Sequence, residues 1–228
     1  MKLNLLDAYT IRARLSSSII LLSPIIITVF LCFNEMFTIV SSSILLFIFL
    51  AFTNYIPILQ RRIKSKEPIY PNYAVQFLSP SDNTIDRVSK NRFYNKLVKV
   101  DESFSCFQTP DDSDDFQKCC ISAVQYLRTV TRDNHLVQEE NINYGFIKNL
   151  LESKPIGITL SLIMILVVLI YSFWQYDTFY AFSIQSYFAF SFNGILLLFW
   201  IFGVNEKVVE IAAKHYAKTL LAAIDSLI

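Results

Sequence analysis

Four long apolar runs and one long polar segment make up the pattern of this chain. Residues 15–33 and 36–58 are rich in Leu, Ile, Val and Phe, with only Asn34 and Glu35 between them. Two more runs follow Lys154 and Pro155: one reaches about Trp174, and the other ends near Val204. An apolar run of about 18 or more residues, coiled as an α-helix, crosses the roughly 30 Å hydrocarbon core of a bilayer. The pattern predicts an all-α integral membrane protein whose four transmembrane helices form two hairpins, at residues 15–58 and 155–204. Residues 59–154, the only long water-compatible segment, are expected to form a helical cytoplasmic domain between them.

Pattern also predicts the smaller elements. Residues 1–14 suit a short cytoplasmic helix with Leu5, Leu6 and Tyr9 on one side. A cleaved signal peptide is the alternative, but the apolar run is too long for one and a second span follows without a small-residue cleavage site. Pro24 should kink or loosen the first span, and Ser41, Ser42 and Ser43 offer the second a small-residue surface. In the polar segment a helix is expected over about 83–98, with Ile85, Val88 and Leu97 apolar. The acidic run Asp111, Asp112, Asp114 and Asp115 suits a helix N-terminus. Phe116, Cys120, Ala123, Leu127 and Val130 follow at helical spacing. A further helix fits 136–152. In the tail, 205–228, Val209, Ala213, Tyr216, Leu220, Ala223 and Leu227 recur in steps of four and three, a heptad-like seam. That seam suits packing on the chain's own middle domain or joining subunits of a homo-oligomer.

Charge gives the pattern a direction. Of the 20 Lys and Arg, 3 precede residue 15, 14 lie between 60 and 154, and 3 follow 205. The hairpins have none, and their connections carry Glu35 and Asp177. The positive-inside rule then puts both termini and the middle domain in the cytoplasm. The aromatic stretch holding Tyr171, Trp174, Tyr176 and Tyr180 suits the opposite interface. Cys32, Cys106, Cys119 and Cys120 form no disulfide framework or zinc pattern, and adjacent cysteines rarely bridge. Their thiols are expected to be reduced.

The densest cluster of chemically able residues is 127–149. Arg128, Arg132, Asn141, Tyr144 and Lys148 are its candidate ligand-binding set. On a helix, Arg128 and Arg132 would share a face, as would Tyr144 and Lys148. Guanidinium groups grip phosphate in a bidentate fork, amides read base edges and a tyrosine ring stacks on a base. The same residues also suit a solvated face with internal ion pairs, such as Arg132 with Glu139 or Glu140. Cys119 or Cys120 with His135 and Glu139 can be drawn as nucleophile, base and orienter, but no spacing supports it, and no metal-ligand pattern, phosphate loop or nucleophile elbow is present. No catalytic residue, metal or cofactor is assigned, and the expectation is a non-enzyme. The spans hold hydroxyls and amides rather than ionisable groups, which suits helix packing or a multi-copy pore better than proton-coupled transport.

Residues 127–157 resemble a stretch of bacterial tetraspan proteins in anti-phage defence cassettes: Thr131, Arg132 and Asp133; then Glu140, Asn141, Tyr144, Gly145, Phe146, Asn149 and Leu150; then Lys154, Pro155 and Gly157. The hairpin–domain–hairpin plan agrees, and the family it is most similar to is the membrane effector of Hailong-type systems. That resemblance implies a homo-oligomeric channel gated by a nucleotide or oligonucleotide made by a partner nucleotidyltransferase. A non-conducting membrane anchor for a cytoplasmic partner, or a small membrane enzyme, are the alternatives.

Overall fold

A computed structural model describes residues 8–33, 71–176, 178 and 182–227. The proposed second span, 36–58, lies outside them. Every regular element among the described residues is helical. They divide into a membrane unit, drawn from Met1–Lys66 and Gly145–Val209, and a helical unit, drawn from Glu67–Tyr144 and Glu210–Ile228.

Among the described residues, three helices are long and apolar enough to cross a membrane: α1 (Thr10–Cys32), α5 (His135–Gln175) and α6 (Ile184–Gly203). Their outward faces carry Ile19, Phe30, Leu166, Ile170, Phe188, Ile195 and Phe202, all exposed. In water such a surface would aggregate; against lipid tails it is matched to its solvent. The inward faces instead carry small polar side chains, with Ser17, Ser18, Thr28, Ser161, Ser172, Ser186 and Asn193 all buried. Ser17, Ser18 and Ser161 return their hydroxyls to carbonyls four residues back. Asn193 donates to Thr28 Oγ1 at 2.9 Å and joins α6 to α1.

The N-terminal segment is not a separate helix in its described part. Helix runs from Ala8 into the span without a break at 14, through a π-helical turn at Thr10–Leu15. Pro24 sits inside α1, and the structure shows how the helix accommodates it. Pro24 has no N–H for the Ile20 carbonyl, and Ser23 Oγ donates to that carbonyl at 2.8 Å. The expected helix at 136–152 and the third span are likewise one helix of 41 residues, α5, with Pro155 inside it.

The helical unit is built on α2 (Tyr73–Leu78), α3 (Arg87–Val100), a 3₁₀ segment (Glu102–Gln108), α4 (Asp114–Val130) and the latter part of α7 (Glu206–Ala222) with its 3₁₀ extension Ala223–Ser226. Caps set the boundaries. Asp86 accepts from Ser89 N at 2.8 Å, so α3 begins later than residue 83. Ser113 accepts from Phe116 N at 3.2 Å and starts α4 just inside the acidic run. The core joins Phe77, Leu78, Tyr94, Leu97, Phe104, Phe107, Phe116, Val124 and Leu127 to Leu220, Leu221 and Ile224 of the tail. Tyr94 stacks on Phe107 with centroids 5.2 Å apart, and Phe116 meets both rings edge-on. Each such buried aromatic contributes about 1.5–3 kcal/mol. Of the two readings of the tail seam, packing on the chain's own domain is what these residues do: Ala213, Leu220 and Ala223 are in that core. Asp225 pins the end of the tail to α3 through Arg92 at 2.8 Å and Lys96 at 3.5 Å. Val130, expected in the α4 seam, is exposed instead.

Candidate functional site

The five candidate ligand residues fall on three kinds of backbone. Arg128 is exposed in the last turn of α4. Arg132 is exposed too, but it lies in the turn after the helix. The expectation that the two share a helical face is corrected, because α4 stops at Val130. Thr131 caps it, donating both its N–H and its hydroxyl to Leu127 O at 2.9 and 2.7 Å. Asn134 then opens α5, its Oδ1 accepting from Leu136 N at 3.1 Å and Val137 N at 3.3 Å. One guanidinium group thus sits in the last turn of α4 and the other within the tight turn that follows it. Asn141 and Tyr144 lie on α5, half-buried. The Tyr144 ring is stacked on Tyr216, with centroids 6.1 Å apart and planes 4° from parallel. One of its faces is therefore already covered. Lys148, one turn further along α5, belongs to the membrane unit.

Near this turn His135 Nε2 stands 3.8 Å from Glu139, a contact that becomes an ion pair only when the imidazole is protonated. The residues drawn as a cysteine nucleophile are differently committed. Cys119 is bonded to Cys106 in the structure, whereas the sequence reading has all four thiols reduced in a cytoplasmic setting. Cys120 is buried, and burial pushes its thiol up to about 12, so it stays protonated near neutral pH. Among the described residues, no three His, Cys, Asp or Glu side chains gather at metal-binding separations.

The most organised polar geometry lies on α5, in residues marked by the family resemblance and given no contact role there. Four positions between 145 and 157 hold the ends of both neighbouring spans. Gly145 faces the Tyr9 ring so closely that an added Cβ would meet it at 2.5–2.9 Å. Asn149 Nδ2 donates to Ala13 O at 3.1 Å, in the π-helical turn of α1. Lys154 Nζ donates to Ile201 O at 3.0 Å and to Val204 O at 2.7 Å, at the π-helical end of α6, Phe199–Gly203. Gly157 lies against the indole of Trp200, which is fully buried.

The arrangement has a physical logic. A π-turn leaves carbonyls out of the i→i+4 ladder, and in a low-dielectric setting each needs a donor. Asn149 joins Ser17 Oγ in donating to Ala13 O, Lys154 donates to Ile201 O and Val204 O at the end of α6, and the two glycines let bulky rings approach the α5 backbone. At about 100° per residue, the Gly145–Asn149 pair and the Lys154–Gly157 pair point roughly 130° apart around α5. One helix therefore clasps two others. Leu21, Leu150, Trp200 and Val204 fill the space between as a small core, with Phe146, Leu151 and Ile158 against it. Lone glycines and a lysine at the start of an apolar run are the sequence signal for such a clasp, but their partners lie far away in the chain and leave no local trace. No protein-family model, curated protein or solved structure matches this chain.

Proposed function

We propose that this chain is a four-span effector of a bacterial inner membrane that assembles with its own copies as a channel, opening or closing when a nucleotide or oligonucleotide binds its cytoplasmic helical unit, in anti-phage defence. The observation that carries this reading is the clasp on α5. Residues 145–157 hold the ends of α1 and α6 by donors and ring seats, and they follow directly in the chain on Arg128, Arg132, Asn141 and Tyr144. The turn between α4 and α5 is thus joined to the groups that fix the span ends by one uninterrupted helix, His135–Gln175. Arg128 and Arg132 are exposed and suited to phosphate.

A return crossing over residues 36–58 has support beyond composition. At one level α1 begins beside the start of the apolar part of α5, by Tyr9–Gly145 and Ala13–Asn149. At the other, Phe33 meets Tyr171 with centroids 4.7 Å apart. The two helices run parallel, so the chain between Phe33 and Gly145 comes back to the level it left.

The test uses full-length protein in liposomes. Ion flux is recorded with oligonucleotides and cyclic nucleotides, beside direct binding. A ligand gates only through different affinities for two states, so flux must change with occupancy. The charge reversals Arg128→Glu and Arg132→Glu together are expected to abolish binding and the flux response while leaving the fold intact. If binding and flux survive them, the site is elsewhere. Binding without flux under any condition identifies a membrane anchor.

A further inference from the structure

We infer that Cys106 and Cys119 are a reversible redox site: a thiol pair that a low-molecular-weight disulfide closes and a small thiol reopens. The structure holds the closed form, with Cα atoms 6.8 Å apart and the two cysteines 13 positions apart in sequence. Both residues are half-buried at the edge of the helical unit's core and open to a small reagent. Cys120, the very next residue, is only 1% exposed and kept as a thiol, so the choice of partner is built in. Closure bonds the 3₁₀ segment Glu102–Gln108 to α4. That segment delivers Phe104 and Phe107 to the core, where they pack on Tyr94, Phe116 and Tyr126. The bond therefore fixes a segment that otherwise holds its place through ring contacts, and it closes a loop containing Asp111, Asp112, Asp114 and Asp115.

The chemistry is ordinary exchange. One protein thiolate attacks the small disulfide, forms a mixed disulfide and releases one small thiolate. The second protein thiolate then displaces the other, so two protein thiols become one disulfide while the small disulfide becomes two thiols. In a reducing cytoplasm an accessible disulfide of this kind is transient. The inference rests on the cytoplasmic placement of the helical unit in the reading above.

The experiment uses the full chain in bacterial membranes. Trypsin separates Cys106, on residues 100–118, from Cys119 and Cys120, on residues 119–128. In acid-quenched growing cells, Cys106 and Cys119 are expected as free, alkylatable thiols. Inside-out vesicles given oxidised glutathione should lose two hydrogens and yield the linked peptide pair. Reduced glutathione should reverse this. Cys120→Ala should behave like the parent, and Cys106→Ser should not close. A pair already bonded in quenched cells, no closure in vesicles, or linkage through Cys120 or between copies overturns the inference alone. Closure by oxidised glutathione added outside intact spheroplasts places the unit outside and overturns both the inference and the cytoplasmic reading.

Discussion

An added Cβ at Gly157 would lie inside the indole of Trp200, a side chain with no exposed surface and so little room to move. Gly194 is the internal control, because a Cβ there meets nothing within 4 Å. Alanine gains about 1 kcal/mol over glycine in a helix from backbone entropy alone, whereas overpacking a filled site costs about 1–3 kcal/mol. Gly157→Ala is therefore expected to lower the thermal midpoint in detergent micelles, and Gly194→Ala to hold or raise it. Gly145→Ala should fall between, because the atoms it meets belong to the free end of the Tyr9 ring. Circular dichroism melts of the three variants decide this. Equal midpoints for Gly157→Ala and Gly194→Ala would remove Trp200 from its seat. Residue types were legible here while their partners were not. Gly145, Asn149, Lys154 and Gly157 stood out in the sequence, but nothing local says that their counterparts are Tyr9, Ala13, Val204 and Trp200.

Caps explain which helices could be read correctly and where reading failed. Helix α4 was legible because carboxylates, a serine and an apolar period agree. The break before α5 was legible too, but the end of α4 was placed too late, because Thr131, Arg132, Asp133 and Asn134 include no glycine or proline to mark the stop. There the break comes from Thr131 bonding back to Leu127 and Asn134 starting a new helix. Asn134→Ala should cost about 1 kcal/mol, a drop of roughly 4–8 °C for a unit of this size, while Asn134→Asp should stay near the parent. Asp86 makes a separate prediction in acid. Its backbone hydrogen bonds from Ser89 hold the carboxyl below its ordinary 3.8. The unfolded chain thus binds the proton first as pH falls. The capping contribution is complete above the unfolded value and is lost as pH drops through the lower folded one. Asp86→Asn should flatten that part of an acid unfolding profile and leave the neutral region's slope unchanged.

Lys154 belongs to the same scale, since it acts on an element's end. Its two carbonyl partners lie at the π-helical end of α6, and the last hydrogen bond there runs from Val204 N to Phe199 O at 3.1 Å. Lys154→Met keeps the length of the stem and removes the donors. A hydrogen bond from a charged group contributes about 1.5–3 kcal/mol, so the variant should melt earlier. Its amide exchange should also rise at 199–205 ahead of the middle of α6. Uniform exchange along α6 would mean that the lysine does not anchor that end.

At the scale of the whole chain, hydropathy alone yields four crossings, and three of those segments are described as helices of sufficient length. The geometry of the membrane unit adds a constraint that hydropathy lacks. With α1 and α5 parallel, Phe33 and Tyr171 share one level, and Tyr9 and Gly145 share the other. The proposed reading takes its sides from charge, because the segment between carries 14 of the 20 Lys and Arg. Single cysteines test both statements at once. Asn34→Cys and Asp177→Cys should react with a membrane-impermeant maleimide from outside intact spheroplasts, and Ser81→Cys, on an exposed residue, only in inside-out vesicles. Labelling of Asn34→Cys and Ser81→Cys from the same side would leave no crossing between them and would reduce the protein to three spans. Labelling of all three on reversed sides would keep four spans and invert the charge argument, placing Arg128 and Arg132 where no cytoplasmic nucleotide reaches them.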